Sequence, residues 1–393
     1  MVIRGRAPLR VSFGGGGTDV APFCVEQGGA IIGSTINKYA YCSIVPREDD
    51  QIIVHSLDFD MTVKYNAKEN FVYDGRLDLV TAALKAMDIN QGCEVYLQCD
   101  APAGSGLGTS STVMVSLLTA MARWKGVEMD AYRLADLAYQ VEREDLKIDG
   151  GYQDQYAATF GGINFIEFHG RNNVVVNPLR IKKDILHELQ YNLLLCYTGN
   201  IHVSANIIKD QVKNYEKKDA FDAMCEVKAL AYAMKDELLK GNLHSFGKLL
   251  DYGWQSKKKM SSKITNPQID ALYDEAIRAG ALGGKLLGAG GGGYLLMYCP
   301  YNVKHKVAAR MEELGGQLAD WNFELRGYDV DSYLLDLKCP RFGSGEAKAV
   351  INESVRGADI FAMVDVTNYS LTYNVSGFTN HMSPDDHFQD LKR

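Results

Sequence analysis

Glycine placement constrains this chain more than any other feature of its sequence. Half of its 38 glycines, 19, fall in four short stretches: Gly14 to Gly17; Gly104, Gly106 and Gly108; Gly150, Gly151, Gly161 and Gly162; and eight between Gly280 and Gly293. Glycine has no Cβ, so it lets backbone amides approach a ligand and turn through positive φ. A flexible linker would be long, polar and Ser-rich. These clusters stand between apolar runs instead. The sequence therefore predicts a folded protein with several backbone-lined loops.

The 393 residues allow two or three domains. The net charge of −7 is wrong for gripping a phosphate backbone, so no nucleic-acid partner is expected. No run approaches the ~18–20 uninterrupted apolar residues of a membrane span. The opening MVIRGRAPLRVSFGGGG has no apolar core of a signal peptide. The eight cysteines form no CxxC pair and have no histidine at zinc spacing, which predicts reduced, mostly buried thiols and a cytoplasmic location. No HExxH and no Gly-x-Ser-x-Gly elbow is present, which disfavours those hydrolase chemistries.

Periodicity predicts strands at Val2 to Phe13, GAIIGSTI, YAYCSIVP, QIIVHSLDF, FVYDG, CEVYLQC, INFIEF, Tyr191 to Tyr197, Tyr294 to Tyr298 and Phe323 to Tyr328. It predicts helices over Leu77 to Met87, Val113 to Trp124, Ala131 to Leu146, much of Ala205 to Met260, Ile269 to Ala279 and Lys304 to Leu314. Strand-rich and helix-rich blocks without strict alternation indicate α+β layers rather than a doubly wound sheet.

Four segments carry chemistry. Ala101 to Ser111 (APAGSGLGTSS) follows a strand and opens a helix. Its glycines and the helix N-terminus suit an anion, and Thr109, Ser110 and Ser111 offer hydroxyls for capping, phosphate or Mg²⁺. It is neither a Walker A loop nor a Rossmann fingerprint. The plain alternative is a glycine turn with a Ser/Thr cap. In Arg6 to Asp19, four glycines separate an arginine-bearing strand from Thr18-Asp19, which suits a polar ligand; the alternative is a flexible loop. In Gly151 to Tyr156, Asp154 is a general-base candidate, or an ordinary turn aspartate. Glu142, on a helix, is a surface residue unless that helix faces the phosphate loop, where it would suit Mg²⁺. Gly283 to Gly293 is too Gly-dense for a helix and too apolar for a linker. Lys257 to Lys259 reads as a solvated face that can also meet a substrate phosphate.

Together and in this order, these segments resemble the GHMP small-molecule kinase superfamily over about residues 1–330. APLRVSFGGGGTDV, GYQDQYAATFGG and KLLGAGGGGYLL are most similar to the D-glycero-D-manno-heptose 7-phosphate kinases. That resemblance implies a GHMP kinase α+β fold. A ribosomal S5-like N-terminal domain (1–180) would bind ATP, and a ferredoxin-like C-terminal domain (181–335) would follow. It implies an ATP- and Mg²⁺-dependent transferase acting on the anomeric hydroxyl of a sugar phosphate. Pro102, Gly104, Ser105, Gly106, Leu107, Gly108, Thr109, Ser110 and Ser111 would wrap the ATP phosphates, with Ser110 and Glu142 on Mg²⁺. Asp154 would take the acceptor's proton beside Arg10. Gly15, Gly16, Gly17, Thr18, Asp19, Gly290 and Gly291 would shape the sugar site. A homodimer is left open. Rival expectations are a fucokinase- or galactokinase-like enzyme, and a non-catalytic nucleotide- or sugar-binding regulator.

Residues 336–393 continue past this resemblance. Their RF..GE and SVRG..I patterns resemble the N-terminal part of ribose-phosphate diphosphokinases. The later ribose-phosphate and pyrophosphate loops of that family are missing. A partial α/β tail without diphosphokinase activity is expected.

Overall fold

The computed structural model describes residues 1–170, 173–199 and 204–333, and beyond them four strands between 348 and 381. A nine-stranded sheet organises the first half. Its main path runs Asp329–Tyr333, Val2–Gly14, Gly29–Pro46, Cys93–Cys99, Gln51–Ser56, Met61–Asn66. Every pair is antiparallel except Gln51–Ser56 with Cys93–Cys99.

The 18-residue strand Gly29–Pro46 is long because different partners use its two halves. Its start pairs with Ile163–Phe168 and its end with Cys93–Cys99, while Val2–Gly14 follows it along the other edge. Two register shifts interrupt that last pairing, between Pro8 and Arg10 and between Ser12 and Gly14. Pro8 has no N–H to give a ladder, so a break there is expected. Such irregularities re-aim side chains, and Arg10 and Ser12 lie at these two.

A second, four-stranded antiparallel sheet runs Gln317–Leu318, Leu193–Tyr197, Tyr294–Tyr298, Gly283–Leu286. The helices Ser204–Asn214, Lys218–Lys240 and Leu243–Lys258 fill the predicted helical stretch. One apolar core ties the sheets together. Leu9, Val11 and Phe13 meet Met234, Leu238, Phe246 and Leu250 from the helices, and Leu287 and Leu296. Phe13 and Phe246 pack edge to face at 5.4 Å. Removing this area from water couples the two halves and holds their glycine loops against each other.

Several expectations change. GAIIGSTI and YAYCSIVP are one strand, since alternation continues across Asn37-Lys38. FVYDG is not a strand; Val72 is exposed and has no partner strand to cover it. Lys183–Asn192 is helical up to the strand Leu193–Tyr197, and Val174–Pro178 is a further strand. Phe323 to Tyr328 shortens to Phe323–Glu324. Of the described cysteines, Cys24, Cys42, Cys93, Cys196 and Cys299 are buried, Cys99 is partly buried and Cys225 is exposed, all free. No helix among the described residues is long and apolar enough to cross a membrane.

In the tail, Lys348–Val355, Ala358–Asp365, Ser370–Val375 and Phe378–His381 form an antiparallel meander. The RF..GE segment, Arg356-Gly357 and 382–393 lie outside the described residues.

Candidate active site

The loop after Cys93–Cys99 is built on alternating left-handed glycines, Gly104, Gly106 and Gly108 at φ 75°, 82° and 79°. Positive φ is strained for any side chain. Gly106 is doubly constrained, because a Cβ there would stand 2.5 Å from the Leu287 carbonyl oxygen. Gly288 in turn approaches the Gly106 backbone just as closely, so two of the four glycine clusters touch main chain to main chain.

Gly108 is the N-cap of the helix Thr109–Lys125, and no side chain caps it. Thr109, Ser110 and Ser111 thus do not act as the cap that the sequence allowed. The Ser110 and Ser111 hydroxyls donate to Glu142 Oε1 and Oε2, both at 2.6 Å. The first-turn N–H groups line an open cleft of about 170 Å³ with the helix's positive end.

Glu142 is fully buried, not a surface residue. It lies in a π-helical turn, Gln140–Asp145, which swings the carboxylate beneath the loop. Gln155 Nε2 also donates to it at 2.6 Å, and the Arg143 guanidinium is 3.5 Å away. Two serines, an amide and an arginine thus offset the cost of burying this charge.

Arg10, only 4% exposed, donates through Nε to Asp154 Oδ1 at 2.7 Å and also to the Gly106 carbonyl. Asp154 is in the first turn of the helix Gln153–Phe160. A Cβ on Gly108 would lie 3.3 Å from its Cγ, so the carboxylate sits directly against the helix N-terminus. Asp19, 1% exposed, accepts from the Gly17 and Gln153 amides at 3.2 and 3.1 Å. Burial pushes its carboxyl above the usual range, and Asp154 adds to the push.

The structure brings Arg10, Gly17, Asp19, Gly104, Gly106, Gly108, Thr109, Ser110, Ser111, Glu142 and Asp154 to one cleft. The others stand behind it. Thr18 is buried and donates to the Gly15 and Ala30 carbonyls, fixing the turn. Gly15 presses on Ala30. Leu107 belongs to the core, Pro102 is exposed, and Ser105 is buried with its carbonyl accepting from the Tyr294 amide. Gly290 and Gly291 pack on Ile264 rather than on the cleft, whose glycine edge on that side is Gly288-Ala289. Two lysines are the surprise. Lys257 is buried, not solvated, and donates to the Gly288 carbonyl. Lys285, also buried, reaches Ser12 Oγ at 3.4 Å. The sequence signal for Lys285 is a lysine inside the Gly-rich, apolar GGKLL, which by itself reads only as part of a glycine cluster.

Known proteins resemble this chain in sequence and fold. The family model for the GHMP kinases N terminal domain matches residues 77–162, and that for GHMP kinases C terminal matches 234–316. The D-glycero-alpha-D-manno-heptose 7-phosphate kinase of Campylobacter jejuni is 36% identical over 330 residues, 83% of this chain and 97% of that protein. This chain belongs to the GHMP kinases. Among solved relatives of this GHMP kinase, a D-glycero-D-manno-heptose 1-phosphate kinase from Bacteroides thetaiotaomicron superposes with a TM-score of 0.72 at 33% identity, covering 84% of this chain and 99% of that one. Lactococcus lactis galactokinase, 18% identical, shares the fold at a TM-score of 0.68, covering 84% of this chain and 95% of its own. GHMP kinases use ATP. The matched lengths leave the tail unaddressed.

Proposed function

We propose that this GHMP kinase transfers the γ-phosphoryl group of ATP to the anomeric hydroxyl of D-glycero-D-manno-heptose 7-phosphate, giving the 1,7-bisphosphate and ADP. The observation that carries this reading is the Arg10–Asp154 pair, 2.7 Å apart and set against the uncapped N-terminus of Thr109–Lys125. The similarity to heptose phosphate kinases supports the substrate class.

Phosphoryl transfer demands positioning and charge neutralisation more than covalent help. The loop from Gly104 to Ser111 supplies backbone donors for the β- and γ-phosphates. Asp19 accepts from sugar hydroxyls. Asp154 takes the proton of the acceptor hydroxyl as its oxygen bonds to the γ-phosphorus. The bond from that phosphorus to the bridging oxygen breaks, and ADP leaves with the electron pair. Arg10 orients Asp154 and neutralises charge growing between donor and acceptor.

The Ser110 hydroxyl and the Glu142 carboxylate are hard oxygen donors already converging at 2.6 Å. They fit Mg²⁺, which takes few protein ligands and completes its shell with phosphate and water. When bound, it would neutralise charge on the β- and γ-phosphates. Residues 1–180 and 181–335 are proposed as the two kinase domains, and 336–393 as an appended tail without diphosphokinase activity.

The test is a panel of sugars and sugar phosphates, including heptose 7-phosphate and heptose 1-phosphate, with ATP and Mg²⁺, followed by phosphorus NMR. We expect a bisphosphate from heptose 7-phosphate together with ADP. Turnover of galactose or fucose alone would replace this reading with a plain sugar kinase. ATP binding without turnover of any sugar would indicate a regulator.

A further inference from the structure

The proposed acceptor carries a phosphate of its own, and none of the groups assigned so far receives it. Two lysine side chains from different elements converge near Gly16, and one of them, Lys257, lines the cleft with Asp19. Lys257 lies in the last turn of the helix Leu243–Lys258, and Lys285 lies in the strand Gly283–Leu286. They are 4% and 5% exposed. Among the described residues neither forms an ion pair; each has only a neutral oxygen partner, the Gly288 carbonyl and Ser12 Oγ.

Gly16 marks where they meet. A Cβ on it would lie 3.6 Å from Ser12 Oγ and 3.8 Å from both ammonium nitrogens. The two nitrogens are therefore at most 7.6 Å apart, twice that distance, a separation one tetrahedral anion can bridge. The charges facing this point are three cations, Arg10, Lys257 and Lys285, against two carboxylates, Asp19 and Asp154. Arg10 is already engaged by Asp154.

Burying three cations against two carboxylates is costly, and such an excess of positive charge persists when a ligand supplies the missing anion. We propose that Lys257, which lines the cleft, together with Lys285 and Ser12 behind it, converging on Gly16, form the subsite that holds the acceptor's own phosphate and so select a phosphorylated sugar over a free one. This deepens the heptose phosphate reading and rests on it for the identity of the acceptor. Burial lowers the Lys257 ammonium to about 8, helped by Arg10 and opposed by Asp19 and Asp154; burial also pushes Lys285 well below the usual lysine range, helped by Lys257 and Arg10 and opposed by Asp19. A bound dianion reverses the imbalance and makes phosphate binding take up protons.

The test uses the full chain and its Lys285→Met and Lys257→Met variants, with ATP and either heptose 7-phosphate or the unphosphorylated heptose. The expected result is a KM for the 7-phosphate raised about ten-fold or more, as for loss of a charge-assisted hydrogen bond, while KM for ATP moves far less. The wild-type preference for the phosphorylated sugar shrinks by the same factor. Without ligand, Lys285→Met should melt no lower than wild type, because it replaces an amine whose charged form burial disfavours with an apolar chain of similar length. An unchanged phosphate preference overturns the proposal. So does a large drop in melting temperature with equal loss on both sugars, since that is the mark of a structural lysine. If the wild type phosphorylates no sugar phosphate, the functional reading fails and a binding arm decides this one. Inorganic sulfate, added with a non-hydrolysable ATP analogue, should raise the melting temperature of wild type but not of Lys285→Met. An equal rise in both overturns the subsite.

Discussion

Asp154 and Glu142 are both carboxylates lining one cleft, yet their surroundings assign them different work. Asp154 keeps one strong partner, Arg10, and retains oxygen surface toward the cleft. Asp154→Asn should lower kcat by roughly 10²–10⁴, the usual yield of general base catalysis, with KM for ATP nearly unchanged. Steady-state kinetics at saturating acceptor measure this, and near-normal turnover would remove the base role. Glu142 instead accepts hydrogen bonds from Ser110, Ser111 and Gln155. Glu142→Ala strands these donors in the interior, so we expect a stability loss on the order of 1–3 kcal/mol and a raised Mg²⁺ requirement. Thermal melts and a Mg²⁺ titration of activity check the two parts. Lys257 adds a pH signature. Its ammonium titrates near 8 in the folded chain and at 10.5 in the ordinary state. The folded state binds fewer protons between those values, so the cost of burying the charge is full below about pH 8 and vanishes toward 10.5. Any advantage in melting temperature of Lys257→Met over wild type should therefore shrink as pH rises through that window. An advantage independent of pH would mean that the ammonium is not the cause.

At the level of elements, the site is a meeting of loops whose glycines fit one another. The phosphate loop abuts Leu287-Gly288 at Gly106, while Gly293 presses on Ser105. Gly106→Ala meets both a φ of 82° and a carbonyl at 2.5 Å. We expect it to cost about 1–3 kcal/mol, the range for strained backbone, and to raise KM for ATP; a melt curve with ATP kinetics would show both. Gly16→Ala is the contrast. Its Cβ has 3.6 Å to its nearest neighbour and no positive φ, so the fold should hold while KM for the acceptor rises. Much of this level was readable beforehand. The strand Cys93–Cys99 and the helix after the loop follow from alternation and from a Gly-to-Thr boundary. The π-turn at Gln140–Asp145 was not, because Ala131 to Leu146 has a continuous helical apolar pattern. The widened turn carries Glu142 to where Ser110 and Ser111 donate to it.

Over the whole molecule, Asp329–Tyr333 returns to pair with Val2 to Arg6 and closes the edge of the large sheet. A chain ending at Leu335 keeps that strand. It should retain kinase turnover and melting temperature, whereas loss of either would show that residues 336–393 do more than follow the kinase. Glycine clustering and alternation were enough to indicate α+β layers with backbone-lined loops, because backbone geometry and periodicity are local properties; the GHMP kinase architecture and the Arg10, Asp154 and Glu142 set are what the resemblance of the motifs to that family implies. Which clustered residues reach the cleft was a different matter. Thr18 and Leu107 turned inward to hold the loops, Gly290 and Gly291 went to Ile264, and two lysines more than 200 residues beyond Ser12 came in beside it. Those placements depend on how two sheets dock through the Phe13 and Phe246 core. A lysine's burial, and with it its charge, is set by neighbours that come from distant parts of the chain.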